Sequence, residues 1–569
     1  MQHKKQLIKK RLVQTLLANG ILLAIQSAFA EDAVHYEADK SPAKLTQPQV
    51  TAEDAEQTEK IKARLAEIEA ETKAAAVAAN IAKNGYYVER RSYGTGRETE
   101  PPRYVKQLNK TWLGEYDAFA DVDWLDVGLE HRFRYEYRDN DFRRSRDTLD
   151  EPFLHRTRAY VAVKNILDPL RFTVEISDAR RNHSQFTRDF DTRDIDYAEP
   201  LQAYLELYFK ETPLGKDDLG NERPISIKAG RMAFEQIDRR LIARNEWRNS
   251  TNTFQGFRAN IGQQKNDWSL ELLALKPVQR FTNELNEVDH SQDFYGAIGD
   301  WRRWSEYVTL SPYYLALKQD GDKVEFDANG RPALANTKID RHIHTAGLRA
   351  YGVVGKSGWD YDVNYAKQWG EQDRRANNGN FIAELDHDAY AYNLEAGYTF
   401  THAWKPRLSA SYGFASGDKN QTDTGNERFE RLFGFARPWS NNDYFQMENI
   451  SAPKVRAEFE PQLSWLPGLK VDAGYSWYRL DSARDRWNNA GLRDTTGRSG
   501  KDVGEEVDVR VRFPINKYSS VNLGYAYFWA GDFTKNTTRN VTPGGLTVAD
   551  PTRRDNSEFL YAEFTVGAF

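Results

Sequence analysis

Cysteine is absent from this 569-residue chain, so neither a disulfide framework nor a thiolate metal site is open to it. Long apolar runs are nearly as scarce. Beyond the first thirty residues, no segment approaches the roughly 20 apolar residues that a membrane-spanning helix needs. Strands are then the only way for such a chain to cross a bilayer. Charge of one sign is not in excess either: the formal net charge is −5, which does not suggest a nucleic-acid partner. No stretch shows a nucleophile elbow, a phosphate-binding glycine loop or a zinc motif. The chain therefore reads as a non-enzyme without cofactor or metal.

What is present is alternation. Leu125, Val127, Leu129, Phe133, Tyr135 and Tyr137 are apolar or aromatic, while Asp126, Glu130, Arg132, Arg134, Glu136 and Arg138 are charged. A period of two means an extended strand with one greasy and one wet face. Strands of soluble sandwiches are usually shorter, about 5–6 residues. This one matches a tilted membrane-spanning strand of roughly 9–11 residues with overhangs. Aromatic residues are abundant although mean hydropathy is strongly negative. A transmembrane barrel reconciles the two, because only one face of each strand is apolar.

The first thirty residues read as a secretory signal peptide. Lys4, Lys5, Lys9, Lys10 and Arg11 form the basic region, residues 12–25 the apolar region, and Ala28-Phe29-Ala30 the cleavage site. Residues 31–111 differ from all that follows. Residues 51–84 are rich in Ala, Glu and Lys, with Ile61, Leu65, Ile68 and Ala75 at heptad-like spacing, and Asn84-Gly85 is a helix stop. This predicts a periplasmic helical or coiled-coil extension with a linker through Pro101-Pro102. A solvated extension, an oligomerisation helix, a partner-docking helix and a plug for the pore all fit it.

A barrel is expected over residues 112–569. Strands are predicted at 125–138, 154–164, 170–181, 201–210, 225–234, 253–262, 267–276, 306–318, 341–353, 358–370, 388–401, 405–416, 451–460, 468–481, 504–513, 518–529 and 557–569. That makes seventeen, and because such barrels have an even count, eighteen is expected. Polar inserts at 182–199, 277–304, 371–387, 418–449, 482–503 and 530–556 are the candidate extracellular loops, and 165–169 a short periplasmic turn. Phe569 is terminal, as barrel-assembly machinery favours, but falls one position out of the register of Leu560, Ala562, Phe564, Val566 and Ala568.

If the apolar register meets lipid, the other lines the lumen. That places Arg132, Arg134, Arg138, Arg156, Arg158, Arg171, Lys228, Arg258, Arg349, Arg407, Arg456, Arg510 and Arg512 inside, with the acids Glu130, Glu175, Glu206, Asp360, Asp362, Glu395 and Asp508. Two readings fit. The charges form a mutually paired ladder that stiffens the wall, or the excess of arginine makes an anion track. Guanidinium forks suit carboxylates, so a polyanion bearing carboxylates is the natural guest. Inward Tyr160, Tyr204, Tyr208 and Tyr351 offer rings and hydroxyls to sugars. His342 and His344 fall on the lipid side or rim, and Asp418, Asn420, Asp423 and Asn426 have only weak calcium-like spacing.

Ile227-Lys228-Ala229-Gly230-Arg231, followed by Arg240-Leu241, Glu246-Trp247, Asn249 and Phe254-Gln255-Gly256, resembles the strand-loop-strand signature of the alginate export family of outer-membrane porins. Thr345-Ala346-Gly347-Leu348-Arg349 with Trp359-Asp360-Tyr361-Asp362 resembles its middle, and Gly397-Tyr398, Pro406-Arg407-Leu408 and Ala415-Ser416-Gly417-Asp418 its later hairpin. Val503-Gly504-Glu505-Glu506-Val507-Asp508 and Gly531-Asp532-Phe533 resemble its penultimate strands. Met232 and Gln255 depart from the family's usual Gln and Asp, and the extension at 51–84 is not part of its basic pattern.

The resemblance implies an eighteen-stranded monomeric barrel in the bacterial outer membrane with an arginine-lined pore. Such a pore would pass a polyuronate outward, gated by an outer loop and a periplasmic turn, beside a periplasmic scaffold protein. The leading expectation is thus a passive, anion-selective export channel for an anionic exopolysaccharide. The alternatives are an uptake porin for small anionic solutes such as sugar or aromatic acids, and a structural barrel blocked by residues 31–111.

Overall fold

The computed structural model describes residues 99–143, 149–185, 192–302, 307–328, 330–537 and 556–569, with the backbone of 539–540 and 547–548. The signal peptide and the helix expected at 51–84 lie outside the described residues.

Eighteen long strands and four segments of two or three residues make one sheet. The strands are β1 (Leu125–Asp139), β2 (Phe153–Val163), β3 (Leu170–Asn182), β4 (Asp196–Phe209), β5 (Ile225–Met232), β6 (Phe254–Ile261), β7 (Trp268–Gln279), β8 (Gln292–Trp301) and β9 (Thr309–Gln319) in the first half. The second half comprises β10 (Arg341–Val353), β11 (Trp359–Arg375), β12 (Phe381–Thr399), β13 (Arg407–Ala415), β14 (Ile450–Phe459), β15 (Lys470–Arg479), β16 (Asp502–Pro514), β17 (Ser519–Ala530) and β18 (Ser557–Gly567). Neighbours in sequence pair antiparallel, and β1 closes the cylinder on β18, with Glu130 opposite Gly567 and Asp139 opposite Glu558. Closure leaves no free sheet edge, so every strand finds its hydrogen-bond partners inside the protein.

The period-two pattern of β1 is realised residue by residue. Asp126, Arg132, Arg134, Glu136 and Arg138 are buried on the even, inner register that Gly128 and Glu130 share, and the odd-numbered residues lie on the outer face. Exposed aliphatic side chains such as Val174, Ile176, Leu205, Leu207 and Leu394 cover that face. Rings collect toward the strand ends: Trp359 packs on Tyr398 and Tyr398 on Phe400 at one end, while Tyr314, His344 and Trp369 stack toward the other. Among the described residues no helix is long and apolar enough to cross a membrane.

Two expected loops prove to be something else. The insert 277–304 contains β8, the strand missing from the sequence-based count. Phe294 and Ile298 are buried inside while Tyr295 and Trp301 are exposed outside. Both faces of β8 are apolar, so there was no polar alternation to read. The insert 371–387 is mostly the extended ends of β11 and β12, paired up to Arg375 opposite Phe381 around a turn at 376–380. Polar residues on both faces of those ends hid them. Conversely, 233–253 and 320–340 are long connections absent from the sequence-based set.

Short connections, such as 164–169, 354–358 and 515–518, lie at the end where β1 begins and β18 finishes. Most long connections lie at the other end; 210–224, between β4 and β5, is a long one at this end. Residues 99–124 are not helical beyond the short turns Leu108–Lys110 and Trp112–Glu115. The turn at Trp112 reaches the end of the chain: its Nε1 donates to the Ala568 carbonyl at 2.9 Å and its ring stacks on Phe569. Phe569 lies beyond the last paired residue, Gly567, which accounts for its broken register.

Candidate translocation pathway

The strands carry Arg132, Arg134, Arg138, Arg156, Arg158, Arg171, Lys228, Arg258, Arg349, Arg407, Arg456, Arg510 and Arg512 on the inner face, with Glu130, Asp362 and Asp508 among them. Apart from Arg512, which is 41% exposed, the side chains do not project into open water. Most are buried and each is ion-paired or held by carbonyl oxygens, the geometry of the paired ladder.

One group forms a waist on β1 and β2, where Arg132 stands opposite Arg156 and Glu130 opposite Arg158. The connection 233–253 folds inward onto these guanidinium groups. Arg132 Nη1 donates to the Glu246 carbonyl at 2.8 Å and its Nη2 to that of Arg248 at 2.9 Å. Arg134 Nη1 donates to the Trp247 carbonyl at 2.7 Å, and its guanidinium lies 4.0 Å from the centre of the Trp247 ring. The Glu246 carboxylate takes Arg158 at 2.6 Å and Arg156 at 3.3 Å, and also pairs with Arg244. Burial opposes ionisation of Glu246, but Arg158, Arg244 and Arg156 hold its carboxyl well below the usual range. Asn249 fixes the loop to the wall by donating to the carbonyls of His155, Arg180 and Asp194.

The same loop is clasped by a second inward connection, 416–449. Ala243 N donates to Phe433 O at 3.1 Å, Phe433 N to Leu241 O at 3.0 Å, and Phe435 N to Arg239 O at 2.9 Å. Ile237, Asp238 and Arg239 turn the loop in succession with φ of 49°, 51° and 65°. Left-handed conformations at such residues cost about 1–3 kcal/mol each and persist only where the surroundings enforce them. Phe433 lies edge-on, 5.0 Å from both Phe254 and Phe294. Here the inner wall is apolar, with Leu273, Leu275, Ile298 and Leu315 in the same cluster. The expectation that the inner face is polar throughout is therefore wrong for β6 to β9. Those side chains pack against inserted loops rather than facing solvent.

The second group lines the end where β1 begins and β18 finishes. Arg349 Nε donates to Asp362 at 2.8 Å. Arg407 bonds Asp360 and Glu458 at 2.6 Å and Glu395 at 2.9 Å. Arg456 spans Asp472 at 2.5 Å and Asp508 at 2.8 Å, and Asp472 also takes Arg510 at 3.0 Å and Arg512 at 3.2 Å. Arg512 is the most exposed of these. Arg258 and Lys228 both contact Glu100 from the segment preceding the barrel, and Arg258 also bonds Glu271 at 2.8 Å. Arg171 pairs with Asp168 at 2.7 Å and lies 3.6 Å above the Tyr208 ring, whereas Arg138, at the opposite end of β1, bonds Glu136 and Asp194. Tyr160, Tyr204 and Tyr351 also face inward, and Arg349 lies 4.6 Å from the Tyr351 ring.

His342 and His344 alternate with buried Ile343 and Thr345 and so lie on the outer face, where His344 accepts or donates a 2.6 Å bond to Tyr314. Asp418 and Asp423 cap nearby backbone amides, and Asn426 bonds His387. Among the described residues, no group of three or more histidines and acids could hold a metal ion. Sequence reasoning missed Asp472 and Glu563, although both sit in the inward register of their strands. Glu563 takes Arg134 at 3.2 Å. Glu246, Arg244 and Trp247 lie on a loop, where no periodicity marks them, and only the family-like motif singled out Glu246 and Trp247.

No curated protein matches the sequence. Among solved structures, the chain is similar to three Pseudomonas aeruginosa proteins: OpdQ (16% identity, TM-score 0.45), OccK8, also called OprE (14%, 0.46), and the outer membrane protein OpdK (12%, 0.46). Each likeness covers 78% of this chain and 98% of the other. The alginate export family profile matches residues 123–543, well over half of the sequence. The chain thus belongs to the alginate export family, and its barrel is a channel of the bacterial outer membrane.

Proposed function

We propose that the protein is a passive export channel for an anionic exopolysaccharide, alginate or another polyuronate, and that its arginines guide the carboxylates. The observation that carries this reading is the waist on β1 and β2. There, four guanidinium groups on adjacent strands are occupied by a loop's carbonyl oxygens and by the Glu246 carboxylate. These are the donors a chain of uronate residues would use, and the acceptors that fill them come from a connecting loop, not from the strands of the wall. Exchange of internal acceptors for cargo carboxylates keeps buried guanidinium groups paired, which an open, empty track would not. A periplasmic scaffold protein and the barrel-assembly machinery are the partners this role would require.

Uptake of small anionic solutes is the second reading. It is favoured by a cavity of about 250 Å³ toward the end where β1 begins, lined by Arg171, Lys228, Arg244, Tyr160 and Tyr204, which suits one small acid better than a polymer. Single-channel recording separates the two. Defined oligouronates should block the current at concentrations where neutral oligosaccharides of equal length do not. Equal block by both, or cation selectivity of the unmodified pore, would overturn the polyanion track. Permeation of monomeric sugar acids without block by oligomers would favour uptake.

A further inference from the structure

The segment before the barrel crosses its periplasmic mouth. Val105–Gln107 pairs antiparallel with residues 126–128 of β1, below the point where β18 ends its pairing. From there the chain runs inward. Tyr104 Oη donates to Glu175 on β3 at 2.8 Å, and Pro101-Pro102 carry it on toward β5 and β6. There Glu100 meets two cations of the wall. Arg258 grips the carboxylate with both Nη atoms, at 2.8 and 3.0 Å, and Lys228 Nζ lies at 3.1 Å.

The two sides of this contact are unequal. The Arg258 and Lys228 side chains are 5% and 11% exposed, whereas that of Glu100 is 43% exposed. The cations are built into the barrel, and the carboxylate is delivered by a segment lying against it. Loss of Glu100 would strip nearly buried Lys228 of its ion pair and leave Arg258 with Glu271 alone, so the site calls for a second carboxylate. Glu100 also lines the cavity that holds Tyr160 and Tyr204. Rings beside a two-point carboxylate clamp are the surroundings a uronate residue would need.

We infer that Arg258 and Lys228 form a carboxylate subsite at the periplasmic mouth, filled in cis by Glu100, and that an anionic sugar residue enters by displacing Glu100 and unlatching residues 99–104. This rests on the polyuronate reading for its cargo, but the latch itself does not. Desolvation against the wall opposes ionisation of Glu100, yet Arg258 and Lys228 hold its carboxyl well below the usual range, so the latch stays charged from pH 5 to 8.

Because the chain has no cysteine, Thr99→Cys in the full-length protein gives a single labelling site for a membrane-impermeant maleimide. Glu100→Gln should speed its labelling at least fivefold and lower the half-blocking concentration of an oligomannuronate at least fivefold. With Glu100 intact, the oligomannuronate should speed labelling and a cello-oligosaccharide of equal length should not. Arg258→Lys, which keeps the charge but loses the fork, should weaken block and speed labelling. If Glu100→Gln changes neither rate nor block, the inference falls. It falls too if labelling speeds but the oligomannuronate never does so, because the contact is then only an internal tie. Should the oligomannuronate speed labelling of the Thr99→Cys variant while no polymer passes, the subsite stands and the export reading fails.

Discussion

The Arg456 side chain crosses β15 directly over Gly474, where a methyl group would stand 2.3 Å from Nη1. The glycine clears a path from β14 to Asp508 on β16, and Arg456 joins three strands in one buried network. Arg456→Ala would leave Asp472 and Asp508 buried without their shared partner, a loss of about 3–5 kcal/mol for a broken buried pair. Urea titration of the barrel by tryptophan fluorescence should show a lowered midpoint. Gly474→Ala, which only nudges the end of a flexible side chain, should cost clearly less.

Trp247 lies between Arg134 and Arg437, at 4.0 and 3.5 Å from their guanidinium carbons. Cation–π contacts of this kind contribute roughly 0.5–2 kcal/mol each when desolvated. Trp247→Ala should loosen the 233–253 loop and raise the frequency of channel openings severalfold in planar bilayers. Removal of residues 236–250 should raise the conductance itself.

Selectivity should follow the inner arginines. In a salt gradient the unmodified pore is expected to prefer anions, because rings of arginine attract them along a low-dielectric wall. Replacing Arg132, Arg134, Arg510 and Arg512 by glutamate should move the reversal potential toward cation selectivity, and replacement by alanine should move it part of the way. Arg510 and Arg512, the more exposed of the four, should account for most of the shift at the periplasmic mouth.

The 416–449 connection carries a pH-sensitive group. Burial, with Asp485 close by, pushes the Asp418 carboxyl up to about 6 from an ordinary 3.8. The folded loop therefore holds a proton that the unfolded loop has released between pH 4 and 6. Its stability is greatest at the acid end of that window and declines as pH rises through about 6. Hydrogen-exchange protection factors for residues 416–428 should be lower at pH 7 than at pH 5, and Asp418→Asn should remove the difference.

The class of fold was legible because a barrel in lipid writes its two faces into every other residue, as from Leu125 to Arg138. The count fell one short at β8, whose inward Phe294 and Ile298 meet protein rather than water. Alternation reports what each face touches, and a lumen partly filled by loops breaks the rule. The inward direction of the arginines was legible for the same reason. Their partners were harder to see, since Glu246 and Glu100 come from a loop and from the preceding segment, neither of which has a period. Asp472 and Glu563 were readable by register, but arginine drew attention from its acids.

The aromatic meeting of Phe433, Phe254 and Phe294 has a bearing on the cell that makes this protein. Lifting the 416–449 connection off β6 and β8 wets three rings, so in the cell that connection keeps its place in the lumen unless a bound cargo offsets the exposure.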